Sequence, residues 1–482
     1  MASRQMPVPN GLVSFWRTQP HVLDDHRSTP ELPSDADIVV IGSGYAGVST
    51  VHHILNEAKG KVPRIVILEA RQACSGATGR NGGHLKPDPY NTIANLVAEY
   101  GAEAAAEVAD FEAKHIVALK ELIEEQNIDC DFVVTRAMDV QFSESHCQKL
   151  KAGYDNLLSS NIDVTSGAFY SPEETAEGVS GVKNAKGCFS YTAGHLWPYK
   201  LILHILSHAV LESGVNLQTH TPVTGISTER DPAGKWTINT SRGSIKTATA
   251  VVATNAYTSA ILPEYKDKII PVRGICGRIV VPKKDGNKGN PFLSNTYTLR
   301  FNSWDYDYLI PRADGSIIVG GARSDYLHDL DQWYNTTDDS KLIESAKHYF
   351  DGYMQRHFRG WEDSGAYTDR VWTGIMGYSS DYLPHVGHVP GKPGQYVIAG
   401  FTGHGMPQIY LSAKGISNMV INKAKFEESG VPRLFRTSQD RLDSGRNKIL
   451  ETFTQVQKDT KTDAEKRTDG NVYSHYLTRP NL

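Results

Sequence analysis

The sequence is poor in cysteine. Its five cysteines (Cys74, Cys130, Cys147, Cys188, Cys276) are odd in number, widely scattered and never paired as CxxC. That excludes a disulfide framework and a zinc site as readings, leaving reduced thiols and no expected metal centre. Long apolar runs are missing too, and the opening "MASRQMPVPNGLVSFWRTQP" lacks the uninterrupted apolar core of a secretory signal, so no membrane partner is expected. There is no surplus of positive charge: 50 Lys and Arg against 54 Asp and Glu give a net charge of −4, without the basic field that would suggest a nucleic-acid partner. The terminal "PNL" is not a peroxisomal SKL-type signal, and a cytoplasmic location is the expectation by elimination.

What is present fits a globular protein of two or three domains, with 482 residues, 39% hydrophobic and 22% charged. The strongest local signal is "DIVVIGSGYAGVSTVHHIL". "DIVVI" reads as a buried parallel strand, and Val48, Val51 and Leu55 have helical spacing from Ala46 onward. Between them lies a tight turn, Gly42-Ser43-Gly44-Tyr45-Ala46-Gly47. Gly42 permits the sharp turn, Gly44 a close approach of a pyrophosphate, and Gly47 close packing of helix on strand, with phosphates at the helix N-terminus. A second strand, "RIVILE", ends in Glu69 followed by Ala70 and Arg71, roughly 20 residues after Gly47, where an acid that binds a ribose 2′-OH belongs. An acid here favours FAD or NAD over NADP.

Directly after that strand comes "CSGATGRNGGHLKPD", rich in glycine and poor in apolar residues. The backbone of Gly76, Ala77, Thr78, Gly82 and Gly83, with Arg80 and Asn81, can contact phosphate and ribityl oxygens of a cofactor that extends beyond its phosphates. FAD has that shape. The plainer alternative is a glycine-rich surface turn.

The motifs "SGATGRNGGHL", "AGHLWPYKL", "ATNAYT", "RVWTGIMGYSSDYLPHVG" and "IAGFTGHGM" occur in the order seen in FAD-dependent amine oxidases of the D-amino-acid oxidase class. Over about four fifths of its length the chain resembles that family, in particular the group around gamma-glutamylputrescine oxidoreductase and related fungal flavoproteins. The resemblance implies that Val223 lies against the adenine and that Ala253, Thr254 and Asn255 lie near the phosphates. It also implies that Gly400, Phe401, Gly403, Gly405 and Met406 approach the flavin. Some members attach FAD through a cysteine at about the place of Gly374, and its absence here implies non-covalent binding. Some oxidases carry a lysine near the flavin where this sequence offers Ile318, which leaves dehydrogenase activity open.

The expected fold class is α/β, α+β overall: a Rossmann-like FAD-binding domain interleaved with an antiparallel-sheet substrate domain. Residues 1–34 form an N-terminal arm. Residues 35–90, 150–265 and 366–431 make a discontinuous FAD-binding domain, and 91–149 with 266–365 the substrate domain with a helical insert. Residues 432–482, low in apolar content, are read as an extended or loosely docked tail. Residues 91–126 read as helical, with Asn91 as a cap and Phe111, Ile116, Leu119, Leu122 and Ile123 on a core-facing stripe.

Five residues are candidates for chemistry. The resemblance puts His84 and Lys86 near the isoalloxazine, with a solvated loop as the alternative for each. It puts His404 at a turn leading into a helix whose N–H groups and dipole stabilise negative charge on the reduced ring. Tyr306 and Tyr308 alternate on a strand, so both can face a substrate pocket or pack within the sheet. The expected function is oxidation of an amine or amino acid by hydride transfer to flavin N5, giving an imine, with molecular oxygen as acceptor. A dehydrogenase using another acceptor and a non-catalytic flavoprotein are the alternatives.

Overall fold

The computed structural model describes residues 5–58, 60, 62–160, 162–282 and 291–468. Two sheets organise them. In the first, the β-branched strand Asp35–Ile41 is central, and Val39, Val40 and Ile41 are buried on both faces as a parallel strand requires. It pairs in parallel with Gly243–Val252 on one side and Ile65–Leu68 on the other. Asn216–Gln218 and Gln395–Ala399 extend the parallel set, and His385–His388 closes one edge antiparallel. The hairpin Val223–Ile226 and Trp236–Thr240 adds to Gly243–Val252.

The second sheet runs Tyr367–Ser379, Ile269–Val280, Ile317–Gly320, Tyr306–Pro311, Thr296–Arg300, Val133–Gln141, Gly187–His195 and His84–Leu85, with Phe169–Pro172 beside Gly187–His195. It is antiparallel except where Val133–Gln141 runs parallel to Thr296–Arg300. Four strands that fall in the segments expected for the FAD-binding domain, His84–Leu85, Phe169–Pro172, Gly187–His195 and Tyr367–Ser379, pair inside the second sheet.

The helical reading of residues 91–126 resolves into Asn91–Tyr100 and Ala102–Glu125, broken at Gly101, whose φ of +84° no helix continues. The stripe Phe111, Ile116, Leu119, Leu122 and Ile123 is buried as expected. Asn91 is the first helical residue and Tyr90 the N-cap, whose side chain makes no capping bond. Asp88 satisfies the helix start instead: its carboxylate accepts from the backbone N–H of Asn91 at 2.8 Å and of Thr92 at 3.1 Å.

The C-terminal expectation is corrected over residues 432–468, and residues 469–482 lie outside the described residues. Residues 448–468 form the helix Lys448–Thr468, whose Ile449, Phe453 and Val456 are buried against the body. The N-terminal arm is packed as well: Trp16 is fully buried, and Ser14 Oγ donates to Gly79 O in the glycine loop. Among the described residues no helix is long and apolar enough to cross a membrane.

Candidate active site and cofactor cavity

A cavity of about 920 Å³ is lined by the strand ends of the first sheet and by residues of the second. That lies near the top of the roughly 300–1,000 Å³ typical of ligand sites. One end is the turn between Asp35–Ile41 and the helix Tyr45–Glu57. A Cβ at position 47 would sit 1.9 Å from Gly42 O, so the third glycine is required by packing alone. Gly42, Gly44, Tyr45 and Ala46 face the cavity. Ser43 turns inward, and both its N–H (2.9 Å) and its Oγ–H (2.7 Å) donate to Glu69 Oε2. The other Glu69 oxygen accepts from Arg71 N at 3.0 Å. Glu69, Ala70, Val223, Ala253, Thr254 and Asn255 line the same end.

The glycine loop runs alongside, with Gly76, Ala77, Thr78, Arg80, Asn81 and Gly82 on the cavity wall. Thr78 Oγ1 accepts from Tyr45 N at 3.0 Å, joining the loop to the helix start. At position 82 a Cβ would lie 2.4 Å from the Tyr308 ring, which gives that glycine its packing reason. Arg80 lines the cavity and is held in place by the protein itself. It donates to Ser75 O (2.8 Å) and Thr373 O (3.0 Å) and pairs with Asp339 at 3.2 Å. Arg71 forks onto the same carboxylate at 2.9 and 3.1 Å. Burial pushes the Arg80 guanidinium down to about 10, against the pull of Asp339. Arg71 and Arg80 share Asp339, and Arg71 also feels the Glu69 carboxylate. The backbone-rich loop beside them has the N–H donors that suit a dinucleotide pyrophosphate.

Farther along lie the candidates for chemistry. His84 and Lys86 alternate along one strand edge and meet two alternating threonines. His84 Nε2 is 2.7 Å from Thr296 Oγ1, and Lys86 Nζ donates to Thr298 Oγ1 at 2.7 Å. Lys86 is also 3.4 Å from Asp139, whose carboxylate is fully buried and holds Arg300 through two bonds of 2.8 and 3.2 Å. Burial would raise the Asp139 carboxyl, but Arg300 and Lys86 outweigh it and hold it at about 2. Burial, with Lys86 adding repulsion, pulls the His84 imidazole well below its ordinary range, so it is neutral at neutral pH.

Tyr306 and Tyr308 both face the cavity. The Tyr308 ring is wedged between Gly82 and Gly320, and burial drives its phenol well up, keeping it protonated. His404 follows a sharp turn and precedes the helix Ile409–Ile421. Its Nε2 is 3.0 Å from Glu112 Oε2, and Gln408 Nε2 donates to Glu112 Oε1 at 2.7 Å. Burial would lower the His404 imidazole, but the Glu112 carboxylate outweighs it and the pKa is raised.

Gly374, Phe401, Gly403, Gly405 and Met406 complete this wall. Four expected cofactor residues do not face the cavity: Ser43, Gly47, Gly83 and Gly400. Ser43 and Gly47 shape the turn from behind, Gly83 packs on Leu196 O, and Gly400 N is held by Asn255 Oδ1 at 2.9 Å. Ile318 is buried in its strand and does not face the cavity, whereas Lys86 and Lys448 are the lysines that do among the described residues. Of the five cysteines only Cys276 lines the cavity, 3.5 Å from Tyr308 Oη, and burial pushes its thiol up to about 11.

Several lining residues were not singled out from sequence. Asp88, Thr298, Arg300, Arg323 and Tyr378 come from the helix cap, strands and turns, and Lys448, Thr452 and Phe453 from the C-terminal helix. Glu112 sits on the helix face read as core. The i, i+4 and i+7 spacing of Ile449, Phe453 and Val456 was the signal that could have found the last group.

The architecture has known counterparts. Glycine oxidase from Geobacillus kaustophilus superposes with a TM-score of 0.66 at 18% identity, covering 84% of this chain and 99% of that one. L-amino acid deaminase from Proteus myxofaciens, solved with anthranilate, gives 0.65 at 15% identity over 91% of this chain and 99% of that one. Gamma-glutamylputrescine oxidoreductase of Escherichia coli is 22% identical over 398 residues, 81% of this chain and 84% of its own. The family model described as FAD dependent oxidoreductase matches residues 37–419, from the first strand through the helix behind His404. The chain therefore belongs to the DAO family of FAD-dependent oxidoreductases.

Proposed function

We propose that this enzyme oxidises the C–N bond of a small amine or amino acid to an imine, which water hydrolyses to a carbonyl, with molecular oxygen taking the electrons. The carrying observation is that one cavity joins the Gly42–Ala46 turn and the glycine loop to His84, Lys86, Tyr308 and His404. The names of the relatives agree: an oxidase of glycine, a deaminase of L-amino acids and an oxidoreductase of a glutamylated diamine. FAD, when bound, supplies the hydride acceptor at N5. Glu69 and Val223 would hold the adenosine, Ala253–Asn255 with the loop the phosphates, and Gly374, Phe401, Gly403, Gly405 and Met406 the ring end.

The chain's own part is positioning and electrostatics. Lys86 and Arg300 face two buried acids, Asp139 and Asp88, so the cluster is balanced in charge and offers fixed ammonium and guanidinium donors beside the reacting region. Neutral His84 and protonated Tyr308 line the space without adding charge, and the aromatic wall limits water. Non-covalent FAD is supported by the absence of a cysteine at Gly374 and by the high thiol pKa of Cys276. A dehydrogenase is the second reading, favoured by Ile318 where some oxidases have lysine.

An anaerobic panel of amines and amino acids, scored by bleaching of the flavin, tests the reading. Bleaching followed by peroxide on admitting air is the expected result. No bleaching by any member would reject C–N oxidation, and bleaching without peroxide would select the dehydrogenase.

A further inference from the structure

The family match begins at residue 37, so the N-terminal arm lies outside it, yet the arm supplies part of the cofactor end. Met6 and Pro7 line the cavity. Pro9 and Asn10, which follow, are exposed, so at this place the arm is the wall and solvent lies beyond it. Residues 5–14 form no helix or strand, and no sheet ladder holds them. They are held at a few points instead. Val8 O accepts from Arg71 Nη1 at 3.1 Å, and Leu12 N donates to Asp339 O at 2.8 Å. A Cβ at Gly11 would lie 2.4 Å from Arg80 Nη2 and 2.6 Å from Asp339 Oδ1, so the backbone of the arm rests directly on the cluster that Asp339 makes with the two arginines.

The end of the arm grips the glycine loop itself. Ser14 Oγ donates to Gly79 O, and Trp16 Nε1 donates to Asn81 O. Both side chains are fully buried, and Trp16 is anchored in turn, since its carbonyl accepts from Trp197 Nε1 at 2.8 Å. In a planar trans peptide the C=O and the following N–H point to opposite sides. With Asn81 O turned to the arm, the Gly82 N–H is turned away from it. Gly82 is buried on the cavity wall, and that N–H has no hydrogen-bond partner among the described residues, whereas a buried N–H ordinarily has one.

We propose that the N-terminal arm is a strap over the FAD site. Ser14 and Trp16 are positioning residues that hold the glycine loop with the Gly82 N–H free for a cofactor oxygen, and FAD enters and leaves when residues 5–14 lift from the arginine cluster, with Trp16 as the fixed end. This rests on FAD as the cofactor and not on the C–N oxidation reading, so it stands whichever substrate or acceptor the enzyme uses.

Two measurements test the strap, and neither needs turnover. Hydrogen exchange compares the wild-type apoprotein with the FAD-loaded protein: exchange over residues 10–14 is expected to slow on loading, together with residues 76–82, and an arm whose exchange does not change would overturn the strap. FAD release, followed by the rise in flavin fluorescence after dilution, separates positioning from stability. Trp16→Phe keeps an aromatic ring in the core and removes the Nε1–H, and Ser14→Ala removes the Oγ–H. Each should release FAD about fivefold faster than wild type, as the loss of one neutral hydrogen bond implies. Leu157→Ala, a core truncation that does not line the cavity, should lower the melting temperature and leave release as in wild type. Unchanged release in both arm variants, or release from Leu157→Ala as fast as from them, would overturn the proposal. Where the arm variants do not fold, the exchange measurement on the wild type decides it.

Discussion

Glu69 accepts two donors from Ser43 in the turn and one from Arg71 N, and these same contacts hold its carboxylate at the cavity wall. Replacing it by Gln keeps the volume but removes the charge that strengthens each bond. Glu69→Gln should weaken FAD binding by about 1.5–3 kcal/mol, read as a rise in Kd when FAD fluorescence is titrated with apoprotein. His404 makes a pH prediction of definite sign. Its folded pKa lies above the ordinary value because of Glu112, so its contribution is full below about 6.5 and is lost as pH rises through the folded value. With one side of the imidazole open to the cavity, the contribution is about 1 kcal/mol. Melting temperatures of wild type and His404→Gln, compared from pH 6 to 9, should differ most at the acid end and converge at the alkaline end. A constant offset would mean that the Glu112 pairing carries no charge.

At the scale of elements, the C-terminal helix changes most against expectation. Phe453 packs its ring 6.1 Å from that of Trp333 and is almost wholly buried. Phe453→Ala should cost about 3 kcal/mol and lower the melting temperature. An unshifted melt would mean that the helix is not docked in solution. The nucleotide turn, Glu69 and the glycine loop were legible because each is a contiguous motif whose glycines are demanded by local geometry. The charged part of the site was not. Asp139, Arg300 and Glu112 meet only after strands from distant parts of the chain pair, and each sits among apolar residues that read as core. Sheet membership failed for a related reason: Gly187–His195 is buried on both faces, so nothing in its pattern says which sheet it joins. For the helix, low overall apolar content hid three well-spaced anchors.

For the whole molecule, the cofactor cavity draws its walls from both sheets, so FAD binding should act as a global brace. Without a covalent link, acid precipitation should leave the yellow colour in the supernatant, and colour in the pellet would reject the non-covalent reading. The apoprotein should melt lower than the holoprotein, by an amount that grows with free FAD. At 100 times Kd the gain is about 2.7 kcal/mol.

Asp339 also has a consequence in time. The two arginines it pairs lie at positions 71 and 80, and the central strand Asp35–Ile41 waits for its neighbour at Gly243–Val252. Chains emerge from the ribosome N-terminus first, at roughly 5–20 residues per second. The nascent nucleotide turn therefore spends tens of seconds with half its sheet missing and with two guanidiniums whose shared acid is not yet made. The cofactor loop can lock only when most of the chain has been made. Loading of FAD is thereby placed at the end of synthesis, and a prematurely released fragment has no finished site in which to trap the cofactor.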